Sequence, residues 1–282
     1  MTALKLLSEH ACFGGVQQFF EHESAEVRGP MKFAAFVPPQ ARTGRVPVLY
    51  FLSGLTCTEE NFPVKSHAQQ VAAELGLLLI APDTSPREPR LPGDADSWDF
   101  GYSAGFYVDA TLPPWAGHYR MDSYVTRELP EVVAANLPAR EGPGGIFGHS
   151  MGGHGALTCA LRNPGQYRSV SAFAPIAAPM QAPWGQKAFS RYLGEDREAW
   201  RAYDATELVA GTVFPGTILI DQGTADPWLS SQLMPERFAA AAARSGQSLE
   251  LRMQAGYDHG YYFIQTFVAD HLRHHAEVLR GS

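Results

Sequence analysis

Residues 144–156 read GGIFGHSMGGHGA, a short apolar run that breaks at Gly148-His149-Ser150-Met151-Gly152 and continues into small residues suited to the start of a helix. A serine on the sharp turn between a strand and a helix needs glycines two residues to either side, so that the neighbouring elements can approach without Cβ clashes. The pattern G-x-S-x-G alone is weak, since Gly and Ser are common. Here the strand before it and the helix after it give Ser150 the setting of a nucleophile rather than of a plain Gly-rich turn. His149 and His154 are expected to pack or to face solvent, because a base must reach Ser150 from across the pocket.

Outward from this turn the chain alternates. Apolar runs at 32–37, 46–52, 77–81, 145–147, 169–173, 217–220 and 249–253 predict strands, several of them continuously apolar as in a parallel sheet buried on both faces. Helical periodicity appears at 65–75, 121–136, 153–163, 235–245 and 262–279. The alternation predicts an α/β-hydrolase fold, with a mostly parallel, doubly wound sheet flanked by helices in a single domain over 1–282. The irregular stretch 84–119, rich in Pro, Gly, Asp and aromatics, is too long for a connector and is expected to pass over the active site.

In this fold the acid and the base follow the nucleophile, each on a loop after a later strand. The run 217–220 leads into DQGTADPW, which offers Asp221 at the strand end and Asp226 in the loop beyond. Asp226 is better placed to turn towards a histidine at the carboxyl edge of the sheet. Asp221 is the alternative, or braces the loop through backbone N–H groups. The run 249–253 leads into AGYDHGYYF, which sets His259 just before the last helix, where the base belongs.

The roles follow from the chemistry. His259 takes the proton of Ser150, and Asp226 orients the imidazole and stabilises its cationic form. The oxyanion needs two backbone donors: the N–H of Met151, after the nucleophile, and that of Leu55 in LSGLTC, after the run 46–52. Cys57 follows in the same loop and should lie near the acyl pocket. His271, His274 and His275 share faces of the final helix, but no carboxylate or Cys stands nearby in sequence, so a solvated face and no metal site are expected.

Composition bounds the reading. The 282 residues are 45% hydrophobic and 18% charged, as in ordinary globular proteins, and the net charge of −7 argues against a nucleic-acid partner. Three cysteines, Cys12, Cys57 and Cys159, stand far apart with no CxxC pair, which favours a reducing compartment. The first residues are too weakly basic and apolar for a secretory signal. The longest apolar stretch, 75–82, falls far short of the ~20 residues of a spanning helix. The expectation is a cytoplasmic protein with no membrane partner.

Long blocks then carry a resemblance. LSGLTCTEENF, IAPDTSPR, SWDFGYSAGFYVDAT, YRMDSYVTRELP, IFGHSMGGHGAL, SVSAFAPI, PWGQKAFSRYLG, ILIDQG and YDHGYYFIQTFVADHLRHHA span nearly the whole chain and resemble the S-formylglutathione hydrolase, or esterase D, family. The resemblance implies a triad of Ser150, Asp226 and His259 with oxyanion donors at Leu55 and Met151. It also implies hydrolysis of S-formylglutathione to glutathione and formate in formaldehyde detoxification, a homodimer, and no cofactor. Lys65, Trp184 and Lys187 are candidates to hold the glutathione moiety, and Trp98, Phe100, Phe106, Tyr107 and Trp184 to wall the acyl side. Two positions depart from the family pattern: GTADPW replaces a more polar run, and Gly260 replaces a serine after His259. A general carboxylesterase, an acyltransferase of similar fold and a non-catalytic scaffold are the competing readings; the last predicts a broken triad.

Overall fold

The computed structural model describes residues 4–88 and 90–281. Their strands are β1 (Lys5–Cys12), β2 (Gly15–Ser24), β3 (Gly29–Val37), β4 (Val48–Leu52), β5 (Leu78–Pro82), β6 (Gly144–His149), β7 (Tyr167–Phe173), β8 (Ile218–Gly223) and β9 (Leu249–Gln254). They form one sheet in the order β1-β2-β3-β5-β4-β6-β7-β8-β9. From β5 to β9 every neighbour is parallel, and β1, β2 and β3 continue the sheet antiparallel at the β5 edge. Strands β4 and β5 are buried at every position, which is why they read as unbroken apolar runs.

The hairpin β1–β2 escaped the sequence reading for a physical reason. Strand β1 is almost wholly exposed, with Leu6 and Leu7 facing water beside Lys5 and Glu9, so no inside–outside alternation marks it. Strand β2 mixes both kinds of position through QQFFEHES.

Helices cover the sheet in two groups. Ala68–Leu75 packs with the C-terminal helix Tyr261–Arg280, and Ala205–Gly211 packs with both Met151–Arg162 and Pro235–Ser245. The expected helix over 65–75 is two pieces, Asn61–Lys65 and Ala68–Leu75, broken where His67 takes φ 59°. The segment 121–136 is helical with a π turn at Tyr124–Glu128. Among the described residues, two further helices of seven or more residues were not expected. Pro183–Tyr192 starts on a proline, and Ala205–Gly211 is capped by the Asp204 carboxylate, which accepts from Thr206 N (2.9 Å) and Glu207 N (3.1 Å).

The stretch 84–119 mostly extends the main hydrophobic core rather than covering the site. Phe100, Phe106, Tyr107, Trp115 and Tyr119 are buried, and Phe100 stacks on Tyr192 with ring centroids 4.6 Å apart. The stretch is tied to the helix Met151–Arg162 by His154 Nε2, which donates to Phe106 O (2.9 Å), and to the loop after β4 by Tyr107 Oη, which donates to Ser53 O (2.9 Å). Phe100, Phe106 and Tyr107 therefore belong to this core and do not wall the acyl side. Trp98, at the rim of the stretch, is 55% exposed.

Candidate active site

The turn at Ser150 is as tight as its sequence requires. A Cβ at Gly152 would lie 1.9 Å from Leu52 O, and one at Gly148 would lie 2.2 Å from Gly152 O, so neither position admits a side chain. Between them Ser150 sits at φ 58°, ψ −117°, a conformation that costs an L-residue about 1–3 kcal/mol. The surroundings hold it there. Ser150 N donates to Phe173 O (2.9 Å), and Ser150 O accepts from His154 N (3.0 Å) and Ile176 N (3.2 Å). The serine is thereby fixed at the N-terminus of Met151–Arg162, where free N–H groups and the helix dipole favour a developing negative charge.

Asp226 and His259 stand on the loops that leave the carboxyl ends of β8 and β9. His259 Nδ1 donates to Asp226 Oδ2 at 2.6 Å, with the Asp226 side chain fully buried. Asp226 also accepts from Trp228 N at Oδ1 (2.9 Å) and from Gln222 Nε2 at Oδ2 (3.2 Å). These contacts fix the carboxylate and leave the other nitrogen of His259 for the serine side of the pocket. Asp221 is elsewhere: it accepts from Arg252, Gln254 and His271 side chains, not from loop N–H groups.

Ser150 and His259 line one cavity of about 200 Å³ with Gly54, Leu55, Thr56, Cys57, Trp98, His149, Trp184, Trp228 and Tyr261. The loop carrying Leu55 lies against Ser150, since a Cβ at Gly54 would lie 3.1 Å from Ser150 Cβ. Three tryptophans stand together around the opening: Trp184 is 5.5 Å from Trp98 and 4.8 Å from Trp228, centroid to centroid. Cys57 lines the cavity, and burial pushes its thiol above the usual range.

The two lysine candidates fare differently. Lys65 is exposed and does not line the cavity, but its ammonium lies 5.5 Å from the ring centroid of Tyr261, which does. Lys187 does not line the cavity; it is bound to Ser97 Oγ (2.6 Å) and to the Asp99 carboxylate. That ion pair ties the loop carrying Trp98 to the helix carrying Trp184, so the lysine shapes the opening from behind.

Three cavity residues were missed. Trp228 lies in the segment that departs from the family pattern, two residues beyond Asp226, and the aromatic next to the acid was the available signal. Tyr261 stands two residues after His259. His149 lies beneath His259, with ring centroids 4.5 Å apart, and burial, joined by the charge of His259, holds it neutral well below the usual range. The expectation of a solvated histidine face on the final helix is overturned: His271 and His275 are completely buried, because this helix packs on β7. Gly260 is the N-cap of that helix and offers no side-chain cap.

Fold and site together define an α/β-hydrolase of the serine-esterase kind, and the comparisons agree. Residues 24–274 match the family described as Putative esterase. The chain is 58% identical to an S-formylglutathione hydrolase of Mus musculus over 99% of this chain and 100% of that one. It is 53% identical to the S-formylglutathione hydrolase of Paracoccus denitrificans over 98% and 99% of the two chains. A solved S-formylglutathione hydrolase from Agrobacterium tumefaciens superposes with a TM-score of 0.95 at 49% identity, covering 98% of this chain and 99% of that one. The chain belongs to this esterase family and, within it, to the S-formylglutathione hydrolases.

Proposed function

We propose that Ser150, His259 and Asp226 are the catalytic triad and that the chain hydrolyses S-formylglutathione to glutathione and formate, with side activity on small carboxylic esters. The observation that carries this reading is the His259–Asp226 bond at 2.6 Å, in the cavity onto which the strained turn presents Ser150. His259 takes the Ser150 proton as Oγ adds to the thioester carbonyl. The N–H groups of Met151 and Leu55 hold the oxyanion, each such donor being worth ~10²–10³ in turnover. On collapse the C–S bond breaks and His259 passes its proton to the glutathione sulfur. Water, deprotonated by His259, then attacks the formyl-serine; formate leaves and Ser150 recovers its proton.

The close walls suit an acyl carbon that carries only hydrogen. Trp98, Trp184 and Trp228 line the outer part of the cavity, where the long leaving group must pass, and Lys65, beside Tyr261, offers a cation to a glutathione carboxylate. Its remote binding energy then orients the carbonyl over Ser150. The test is a kcat/KM series. Rates should fall steeply from formyl to butyryl thioesters, and glutathione thioesters should exceed those of a truncated thiol by about tenfold or more, or ~1.4 kcal/mol. Equal rates on both thiols, with a preference for longer acyl chains, would move the chain to the general esterase reading.

Among the described residues no helix is long and apolar enough to cross a membrane. A cytoplasmic homodimer that needs no cofactor completes the proposal, supported by the family membership and the cysteine usage. Sedimentation of the purified chain checks the dimer.

A further inference from the structure

The loop that offers the Leu55 N–H is a strained turn clamped from behind. Cys57 N donates to Gly54 O (3.4 Å), which closes a four-residue turn, and Thr56 within it takes φ 67°, a region that disfavours a β-branched residue. Such a conformation persists only where its surroundings over-determine it. Two bonds meet at the far end of the turn, where Cys57 O accepts from Thr84 Oγ1 (2.6 Å) and from Arg87 Nη2 (3.2 Å). A third holds the middle, Thr56 N donating to Ser103 O (3.1 Å).

Arg87 joins these anchors. Its Nη1 donates to Ser103 Oγ (2.8 Å), and its Nε donates to Asp83 Oδ2 (2.8 Å), with Nη2 reaching the other oxygen of the same carboxylate. Asp83 is itself fixed at the end of β5, where it accepts from Thr84 N (2.6 Å). One planar guanidinium thus spans a β5 carboxylate, the 84–119 stretch and the oxyanion loop, a fork that a lysine ammonium cannot reproduce. Arg87 does not line the Ser150 cavity. It lines a separate one of about 430 Å³ on the other side of the loop, with Lys32, Glu59, Asp83 and Glu88.

We infer that Arg87 is a positioning residue for the reaction: by clamping Cys57 O and Ser103 it keeps the 54–57 turn in its strained form, with the Leu55 N–H aimed at the oxyanion. The inference rests on Leu55 as an oxyanion donor. It requires that the effect of Arg87 appear in the transition state and not in substrate binding.

Arg87→Ala and Arg87→Lys are compared with the unaltered chain for kcat, KM, melting temperature and affinity for a trifluoromethyl ketone, which adds to Ser150 to give a tetrahedral oxyanion. Arg87→Ala should lower kcat by about tenfold to a hundredfold with KM nearly unchanged, since a displaced donor loses much of its ~10²–10³ effect. Ketone affinity should fall by the same factor as kcat/KM. Arg87→Lys should remain impaired. Millimolar guanidinium, entering through the rear cavity, should restore part of the Arg87→Ala rate without changing KM. Full activity in either variant, or a lowered kcat with undiminished ketone affinity, would overturn the inference and leave the Ser150 mechanism standing. If Arg87→Ala does not fold, Arg87→Lys and Ser103→Ala carry the same comparison. Turnover surviving in Ser150→Ala would instead overturn the reading on which this rests.

Discussion

The molecule holds two Asp–His–Ser arrays, and they are built from neighbouring strands. One runs Asp226–His259–Ser150 around the cavity. The other runs Asp221–His271–Ser171 through the interior, with His271 Nε2 donating to Asp221 Oδ2 (3.0 Å) and Ser171 Oγ donating to His271 Nδ1 (2.8 Å). By hydrogen bonds alone the interior array is the more complete. All three of its residues are fully buried, however, and Ser171 Oγ also accepts from His275 Nε2 (2.9 Å), whose Nδ1 accepts from Ser169 Oγ (2.6 Å).

The difference shows what makes such an array reactive. Ser150 has an adjoining cavity, a strained turn and a helix N-terminus at its oxygen; Ser171 lies within β7 and has none of these. The acids differ too. Among the described residues the ion-pair partner of Asp226 is His259 alone, whereas Asp221 is also bound by Arg252. Burial pushes the Asp221 carboxyl up, but the bonds from His271 and Arg252 outweigh it and hold it at about 2. The tautomers are opposite as well, His259 giving Nδ1–H to its carboxylate and His271 giving Nε2–H.

The widest separation should come from the serines. Ser150→Ala is expected to cut turnover by ~10⁴-fold or more while leaving the melting temperature in place, because only the nucleophilic oxygen is lost. Ser171→Ala should lower the melting temperature and spare turnover per folded molecule. Residual Ser150→Ala activity within tenfold of the unaltered enzyme would dissolve the contrast.

The acids should divide next. Asp226→Asn is expected to lower kcat by about 10⁴ with little change in stability. Asp221→Asn should cost about 2–3 kcal/mol of stability, below the range for a sealed pair because Arg252 reaches water. Denaturant titration beside initial-rate kinetics separates the two, and a reversal would exchange the arrays' roles.

A third expectation concerns protons. Burial holds His154 at about 4 and lowers His149, His271 and His275 as well. Below the ordinary ~6.5 the unfolded chain binds more protons than the folded one, so the histidine contribution is full at neutral pH and is lost as pH falls, for His154 between ~6.5 and about 4. For His154 alone the loss is about 3 kcal/mol. Asp122 and Asp204, pushed up to about 6 by burial, work the other way and offset part of it. Urea melts from pH 7.5 to 4.5 should show a net fall, and a flat profile would mean that the interior histidines are not held neutral.

The smallest effect belongs to an uncapped helix end beside His259. Gly260→Ser supplies a hydroxyl at the N-cap of Tyr261–Arg280 and should raise stability by a few tenths of a kcal/mol without altering kcat. A changed kcat would show that this residue tunes His259 next to it.

The proposed catalytic array was chosen from local marks in the sequence. Gly148 and Gly152 are forced by the crossing at Ser150, Asp226 follows a strand that opens with an apolar run, and His259 follows one that alternates, LELRM. The interior array left no such mark. Asp221, His271 and Ser171 are separated by 50 and 100 residues and meet only because the last helix lies across β7. A sequence reading takes three histidines on one helix as a wet face, since burial of polar groups depends on partners that only the fold supplies. The aromatics of 84–119 were misassigned for the same reason: their composition announces a packed centre but not which wall of the molecule it supports. Strand β1 was invisible because it buries nothing.

The ring of tryptophans has an optical consequence. Of the five in the chain, Trp98, Trp184 and Trp228 line the cavity, while Trp115 and Trp200 are buried in the core. Indole emission shifts to shorter wavelength when water leaves the ring, and neighbours about 5 Å apart exchange excitation. Trp98 and Trp228 are 55% and 37% exposed, so a molecule settling between them and Ser150 would strip water from both. The protein therefore carries its own fluorescent gauge of site occupancy, with Trp115 and Trp200 as a steady internal reference and no dye to attach.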